Sequence, residues 1–340
     1  MLITKIYQPD QIQAAAKELQ LGELVAFPTE TVYGLGADAT NQQAVKRVYL
    51  AKGRPSDNPL IVTVANQAMV ERFTGPLSGL AQKIIRQFWP GPLTLIFKIK
   101  EGSLPEAVTG GLKTAAFRMP ANQVTRDLIA AVGNPLVGPS ANSSGKPSPT
   151  TAQHVFHDLE GRIAGIVDDG PTQFGVESTI LDLSVETPTV LRPGGVSVEE
   201  LEAFLGQEII SDKHKVGQKE TPKAPGMKYK HYAPSAQVLM VKTGDWPEAL
   251  DWAQTKSKAV AILADQNIIT TPGLQVYDLG SDVAAASHAL FAGLRHFDQD
   301  PKIKYILAQT YSQDGLGAAY MNRLNKSAGE QYFSKTLNLD

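Results

Sequence analysis

Six strand candidates crowd the stretch from residue 93 to residue 192, at 93–98, 114–118, 136–138, 165–168, 178–182 and 189–192. Some follow one another with no room for the crossover of a dozen or more residues that parallel neighbours require. Part of that sheet must therefore be antiparallel, and the domain is mixed α/β. Helices predicted at 122–131 and 151–159 lie between some of these strands. Upstream, strands at 2–7, 24–28 and 61–65 alternate with helices at 9–20, 42–51 and 77–88. The last of these stops at Trp89-Pro90-Gly91-Pro92, where two prolines and a glycine end it. The domain closes after a helix at 197–204. From 206 to 235 the chain is rich in Lys, Gly and Pro and lacks apolar periodicity. About 30 residues is too long for an idle connection, so the stretch reads as a linker with a task. Beyond it, strand and helix alternate cleanly at 237–242, 247–255, 259–263, 274–278, 283–297, 305–309 and 316–327, the rhythm of a small parallel sheet. The predicted organisation is a mixed twisted-sheet α/β domain over 1–205, a linker or lid over 206–235, and a Rossmann-like parallel-sheet domain over 236–340.

Composition narrows the chemistry. The chain has no cysteine, which excludes disulfides, zinc ribbons, thiol nucleophiles and iron–sulfur ligation together. A net charge of -2 gives no global reason to expect nucleic acid or membrane binding. No run approaches the roughly 18 apolar residues of a membrane span, and the start, Met1-Leu2-Ile3-Thr4-Lys5, does not read as a signal peptide. A soluble, cytoplasmic protein is expected. The histidines include no HExxH, and His154 and His157 read as helix-surface residues. There is no GxSxG elbow, no Walker A loop, and no GxGxxG after the first strand of the second domain.

Four motifs remain. Lys52-Gly53-Arg54 follows a helix and leads through Asn58 into a buried strand. A point charge beside a planar fork suits several phosphate oxygens, although cations also favour any helix C-terminus. Gly138-Pro139-Ser140-Ala141-Asn142-Ser143-Ser144-Gly145-Lys146-Pro147-Ser148 is dense in hydroxyls and main-chain N–H groups that can face anionic oxygens, or it is a plain turn. Thr29-Glu30-Thr31 reads as a helix cap or a small polar pocket, with Gly34 and Gly36 allowing close backbone approach to a ligand. Arg118 ends a strand, where it can grip a carboxylate in two bonds. Ser178 and Arg192 hold similar strand-end positions.

In this order the motifs resemble the family of threonylcarbamoyl-AMP synthases, the two-domain Sua5 type whose first domain is called YrdC-like. The resemblance rests on FPTETVYGLGADA from Phe27, KGRPSDNPLIV from Lys52, FWPGPLTLI from Phe88, FRMP from Phe117, PSANSSGKPSPT from Pro139, ESTILD from Glu177, LRPGG from Leu191 and PGMKYKHYAP from Pro225. It implies that L-threonine, bicarbonate or CO2, and ATP give threonylcarbamoyl-adenylate and pyrophosphate. The product would pass to the machinery that forms N6-threonylcarbamoyladenosine in tRNA, and a weak contact with tRNA is compatible with that place. By the same resemblance, Lys52 and Arg54 are the catalytic cations, holding the ATP phosphates with Asn58, opposite Ser140, Asn142 and Ser148. Thr114 and Arg192 would lie on the nucleotide side, and Tyr232 of the linker would fold over it. Thr31, Arg118 and Ser178 would surround L-threonine. Thr63 stands where the family usually has histidine.

No protein nucleophile is required by such a reaction, because the attacking carbamate is already an anion. Orientation and charge neutralisation carry it, with Mg2+ riding on the ATP phosphates. Two rivals are weaker. A non-catalytic double-stranded RNA or tRNA grip leaves the hydroxyl-rich pocket without a purpose. The related domains that make carbamoyl-adenylate in hydrogenase maturation carry cysteine-rich zinc fingers, which this chain lacks.

Overall fold

A computed structural model describes residues 2–56, 58–211, 222–223, 232–256, 258–268 and 273–334. The chain divides into two compact units. The first comprises Met1–Ser144, Ser148–Gln173 and Glu177–Tyr229, and the second Gly145–Pro147, Phe174–Val176 and Lys230–Asp340.

The strands of the first unit are β1 (Lys5–Tyr7), β2 (Val25–Phe27), β3 (Gly34–Asp38), β4 (Ile61–Thr63), β5 (Leu93–Lys98), β6 (Thr114–Arg118), β7 (Leu136–Val137), β8 (Gly165–Val167), β9 (Thr179–Asp182), β10 (Thr189–Arg192) and β11 (Ile210–Ser211). Its helices are α1 (Ile12–Gln20), α2 (Gln42–Lys52), α3 (Gln67–Thr74), α4 (Gly79–Phe88), α5 (Glu106–Thr109), α6 (Gln123–Val132), α7 (Ala152–Leu159) and α8 (Val198–Leu205). The strands form one mixed sheet in the order β1-β8-β2-β3-β7-β4-β6-β5-β9-β10-β11 among the described residues. β2 and β3 pair antiparallel, as do β5 with β6 and β9 with β10, whereas β4 with β6 and β5 with β9 are parallel. The mixed sheet expected from the crowded strands is the one observed. β11 lies inside the stretch read as a linker, yet it pairs with β10, so the first unit's sheet runs past residue 205.

Local sequence explains the elements that frame the site. β5 is a run of Leu, Thr, Ile and Phe buried at all but its last residue, between Pro92 and the polar Lys98. α2 begins at Asn41, whose side chain accepts the N–H groups of Gln43 and Ala44. It ends at Gly53, whose φ of 64° is the left-handed cap that glycine takes without strain. That stop delivers Lys52 and Arg54 to the sheet. β3 replaces the capped helix that Thr29-Glu30-Thr31 suggested. A Cβ at Gly34 would sit 2.8 Å from the Phe27 ring, and one at Gly36 would sit 2.6 Å from the Val25 carbonyl. These glycines let β2 and β3 close on Phe27; the space over them belongs to the core rather than to a ligand.

The second unit has β12 (Gln237–Val241), β13 (Val260–Ala264), β14 (Gln275–Asp278) and β15 (Tyr305–Gln309), all parallel, in the order β12-β15-β13-β14. α9 (Trp246–Thr255), α10 (Val283–Asp298) and α11 (Leu316–Ala328) complete it, the Rossmann-like pattern expected. Within this unit Arg295 donates to the Pro147 carbonyl through Nε at 3.1 Å and Nη2 at 2.6 Å, and Lys146 pairs with Asp298 at 2.7 Å. No helix among the described residues is long and apolar enough to cross a membrane.

Candidate active site

Strand register places the first group of side chains. Thr63 of β4 and Thr94 of β5 are both register partners of Arg118 on β6, so the three lie in one row on one face of the sheet. Arg118 is 8% exposed. Its Nη1 donates to Thr31 Oγ1 at 2.8 Å, its Nη2 pairs with Glu30 Oε1 at 2.9 Å, and its Nε reaches the Gly91 carbonyl at 3.4 Å. Thr94 Oγ1 lies 2.8 Å from Ser178 Oγ. Arg192 donates to the Ser178 carbonyl from Nε at 3.2 Å and Nη2 at 2.9 Å, and to its hydroxyl at 3.3 Å. Thr31 is thus bonded to the Arg118 guanidinium, Thr63 is its register neighbour on the same face, and Ser178 joins the row through Thr94. Arg192, expected on the nucleotide side, is bonded to this group.

The second cluster forms where α2 ends. Lys52, 3% exposed, donates from Nζ to the carbonyls of Ser140 and Asn142, the latter at 2.7 Å, and Ser144 N–H returns a bond to the Lys52 carbonyl at 2.8 Å. Ser140 is bridged to Gly34 of β3, and Ala141 N–H donates to the Tyr33 carbonyl. The two loops proposed from sequence are therefore in contact, through a buried ammonium. Arg54 reaches the carbonyls of Asn58 and Pro59 at 3.4 Å each. Asn58 is fully buried, and neither atom of its amide has a hydrogen-bond partner among the described residues. Asn142 is buried, and its Nδ2 donates to the Ser143 carbonyl. Ser148 is also fully buried and donates to Glu177 Oε1 at 2.6 Å.

Thr114 stands apart from the Arg118 row. Thr114 begins β6 and pairs with Lys98, about 13 Å along the strand from Arg118 at the usual rise per residue. Tyr232 belongs to the second unit, where its ring packs 5.1 Å from that of Phe291 at a φ of 63°. Most of the linker around it, including Lys230 and His231, lies outside the described residues. Thr94 and Glu177 were not singled out in the sequence, and Thr29 and Glu30 only as parts of the Thr29-Glu30-Thr31 motif without a role of their own; each is buried and bonded to a named residue. An acid flanked by two threonines after an apolar strand was the available signal for Glu30. Thr29 and Glu30 also line a cavity of about 100 Å³ with Asn122, Asp169 and Gln173.

The family model of the Sua5/YciO/YrdC domain, described as telomere recombination, matches residues 17–194. The model of the threonylcarbamoyl-AMP synthase C-terminal domain matches residues 196–329. The threonylcarbamoyl-AMP synthase of Bacillus subtilis is 46% identical over 94% of this chain and 93% of its own. That of Pyrococcus abyssi is 43% identical over 94% of each. The crystal structure of P. abyssi Sua5 complexed with L-threonine superposes with a TM-score of 0.90 at 42% identity, over 97% of this chain and 99% of that one. The chain belongs to the Sua5 family of threonylcarbamoyl-AMP synthases. Both of its units fall within the family's span, so the Arg118 and Lys52 clusters are parts of a two-domain synthase.

Proposed function

We propose that the chain condenses L-threonine, bicarbonate or CO2, and ATP into L-threonylcarbamoyladenylate and pyrophosphate, for the formation of N6-threonylcarbamoyladenosine in tRNA. The observation that carries this reading is the convergence of the Lys52–Arg54 segment and the Ser140–Asn142 loop on one buried ammonium. In the chemistry, the threonine ammonium gives up two protons to solvent, one to become the amine and one as its nitrogen bonds to CO2, which leaves a carbamate anion that keeps one N–H. A carbamate oxygen then attacks the α-phosphorus of ATP, the α–β anhydride bond breaks, and pyrophosphate leaves. The site's task is to hold two anions in line and to neutralise charge on the phosphate oxygens.

In this reading Arg118 takes the threonine carboxylate, with Thr31, Thr63 and Ser178 around the rest of the amino acid. Lys52 and Arg54 face the phosphates with Asn58, Ser140, Asn142 and Ser148. Arg192 bridges the two sides through Ser178, Thr114 contributes at the nucleotide end, and Tyr232 closes over it. Mg2+ enters as part of the ATP complex, held by phosphate oxygens and water. The product goes to a tRNA-modifying enzyme, and the cytoplasm is the compartment proposed. The test is mass spectrometry of the product formed from ATP, L-threonine and labelled bicarbonate, with pyrophosphate release measured in parallel. Label in a threonylcarbamoyl-adenylate, and release that needs both threonine and bicarbonate, are expected. Equal release without threonine would end this reading.

A further inference from the structure

We infer that Thr29 and Glu30 are positioning residues that fix the hydrogen-bond polarity of the amino-acid pocket, an inference that rests on the function proposed above. Thr29 Oγ1 lies 2.7 Å from the Val32 carbonyl and 2.9 Å from Thr31 Oγ1. Two such contacts need two protons, and the carbonyl has none to give. Thr29 therefore donates its single hydroxyl proton to Val32 and receives that of Thr31. Arg118 Nη1 donates to the same Thr31 oxygen at 2.8 Å. The relay runs in one direction, from Arg118 to Thr31 to Thr29 to the Val32 carbonyl. The N–H groups of Thr31 and Val32 lie 3.1 and 3.2 Å from Thr29 Oγ1 and share its second lone pair, which holds that oxygen in place.

Thr31 consequently has its proton committed and one lone pair filled. What it offers to a ligand is an acceptor, so the group seated there must be a donor: the ammonium or the β-hydroxyl of the amino acid, not its carboxylate. The carboxylate is left for the remaining N–H groups of Arg118. Glu30 completes the arrangement. Its carboxylate and Arg118 are 2% and 9% exposed, and no other partner bonds either Glu30 oxygen among the described residues. The ion pair fixes the plane of the guanidinium and keeps the buried centre neutral before substrate arrives. A cationic donor beside a fixed acceptor matches a zwitterionic α-amino acid.

The test is titration calorimetry of L-threonine into the full-length chain, with the KM for ATP and the melting temperature measured for each variant. Thr29→Val keeps the shape but breaks the relay, Thr29→Ser restores the hydroxyl, and Glu30→Gln removes the charge. Thr29→Val and Glu30→Gln should each weaken L-threonine binding on the order of tenfold, while the KM for ATP stays within about twofold. Thr29→Ser should return to within about threefold of the wild type. Unchanged threonine affinity in Thr29→Val and Glu30→Gln would overturn the inference. So would a parallel loss of ATP affinity, which marks a merely structural role. Should Thr29→Val fail to fold, Glu30→Gln decides by the same comparison. A wild-type chain that binds no threonine would remove the functional reading and this inference together, whereas a wild type that binds beside unchanged variants removes only the inference.

Discussion

Around Arg118 the polar side chains are bonded in two groups, Arg118 with Thr31, Thr29 and Glu30, and Thr94 with Ser178 and Arg192. Around Lys52 the ammonium bonds main-chain carbonyls, and the Asn58 amide has no partner among the described residues. A pocket closed by its own side chains loses little freedom when it binds, so its geometry is set in advance. A buried amide without partners is destabilising until a ligand supplies them. On the function proposed, the Arg118 side is pre-organised for the amino acid, and the Lys52 side is a place where phosphate arrival completes the hydrogen bonding.

The largest effect should come from breaking the closed side. Arg118→Ala leaves Glu30 charged, buried and unpaired, at a cost of about 3–5 kcal/mol of stability, along with loss of threonine binding. The double variant Arg118→Ala/Glu30→Gln should recover much of the stability and none of the binding. Chemical denaturation of both, beside threonine titration, makes the comparison. If the double variant were no more stable than the single one, the ion pair would not be what holds this pocket.

Next in size is Lys52→Ala on the open side. Threonine-dependent kcat/KM should fall on the order of 10²–10³-fold. Because two carbonyls lose their donor, the melting temperature should fall as well. Arg54→Ala should lower turnover comparably but cost less in melting temperature than Lys52→Ala, since Arg54 is partly exposed where Lys52 is buried. Steady-state kinetics with thermal melts separates the two cations. Equal melting temperatures for Lys52→Ala and the wild type would mean that the ammonium is not part of the loop junction.

How far these two sides could be read beforehand depends on the signal each residue gives. β5 and β6 were legible to the residue, because the apolar run of β5 stops at proline and lysine and the short apolar stretch of β6 stops at Arg118 before Met119-Pro120. β3 was not, since Gly34-Leu35-Gly36-Ala37-Asp38 has no strand propensity and is held by β2 and β7 on either side. α3 was passed over although Asn66 caps it through Met69 N–H. Arg118, Lys52 and Ser178 announced themselves as polar groups at element ends. Glu30 did not, because its partner lies 88 positions away and only the sheet brings the two together. Spacing along a chain carries helix and strand periods; it does not carry which strand becomes the neighbour of which.

The open side is probed more gently at Asn58. Asn58→Ala removes an amide that makes no hydrogen bond among the described residues, so the ligand-free melting temperature should hold or rise. If ATP supplies the missing partners, its KM should rise on the order of tenfold while the KM for threonine is unchanged. A fall in ligand-free stability with normal ATP affinity would place Asn58 in the scaffold and erase the contrast between the two sides.

The smallest effect lies in the second unit and gives the contrast a reference point. Lys146 and Asp298 form an ion pair open to solvent, at side-chain exposures of 39% and 16%, where Glu30 and Arg118 are nearly sealed. Burial alone would raise the Asp298 carboxyl, but the hydrogen bond from Lys146 and the N–H of Ser235 outweigh it and hold the group below the usual carboxylate value of 3.8. A folded-state value below the unfolded one makes the contribution complete above pH 3.8 and loses it as pH falls through the folded value. Asp298→Asn should therefore lower the melting temperature at neutral pH by about 3 °C or less, and the gap to the wild type should close in acid. Added salt should narrow the same gap, because exposed charges are screened. The stability lost in Arg118→Ala should be insensitive to salt, since its charges are out of reach of counter-ions. A pH-independent gap for Asp298→Asn would mean that the side chain acts there through shape rather than charge.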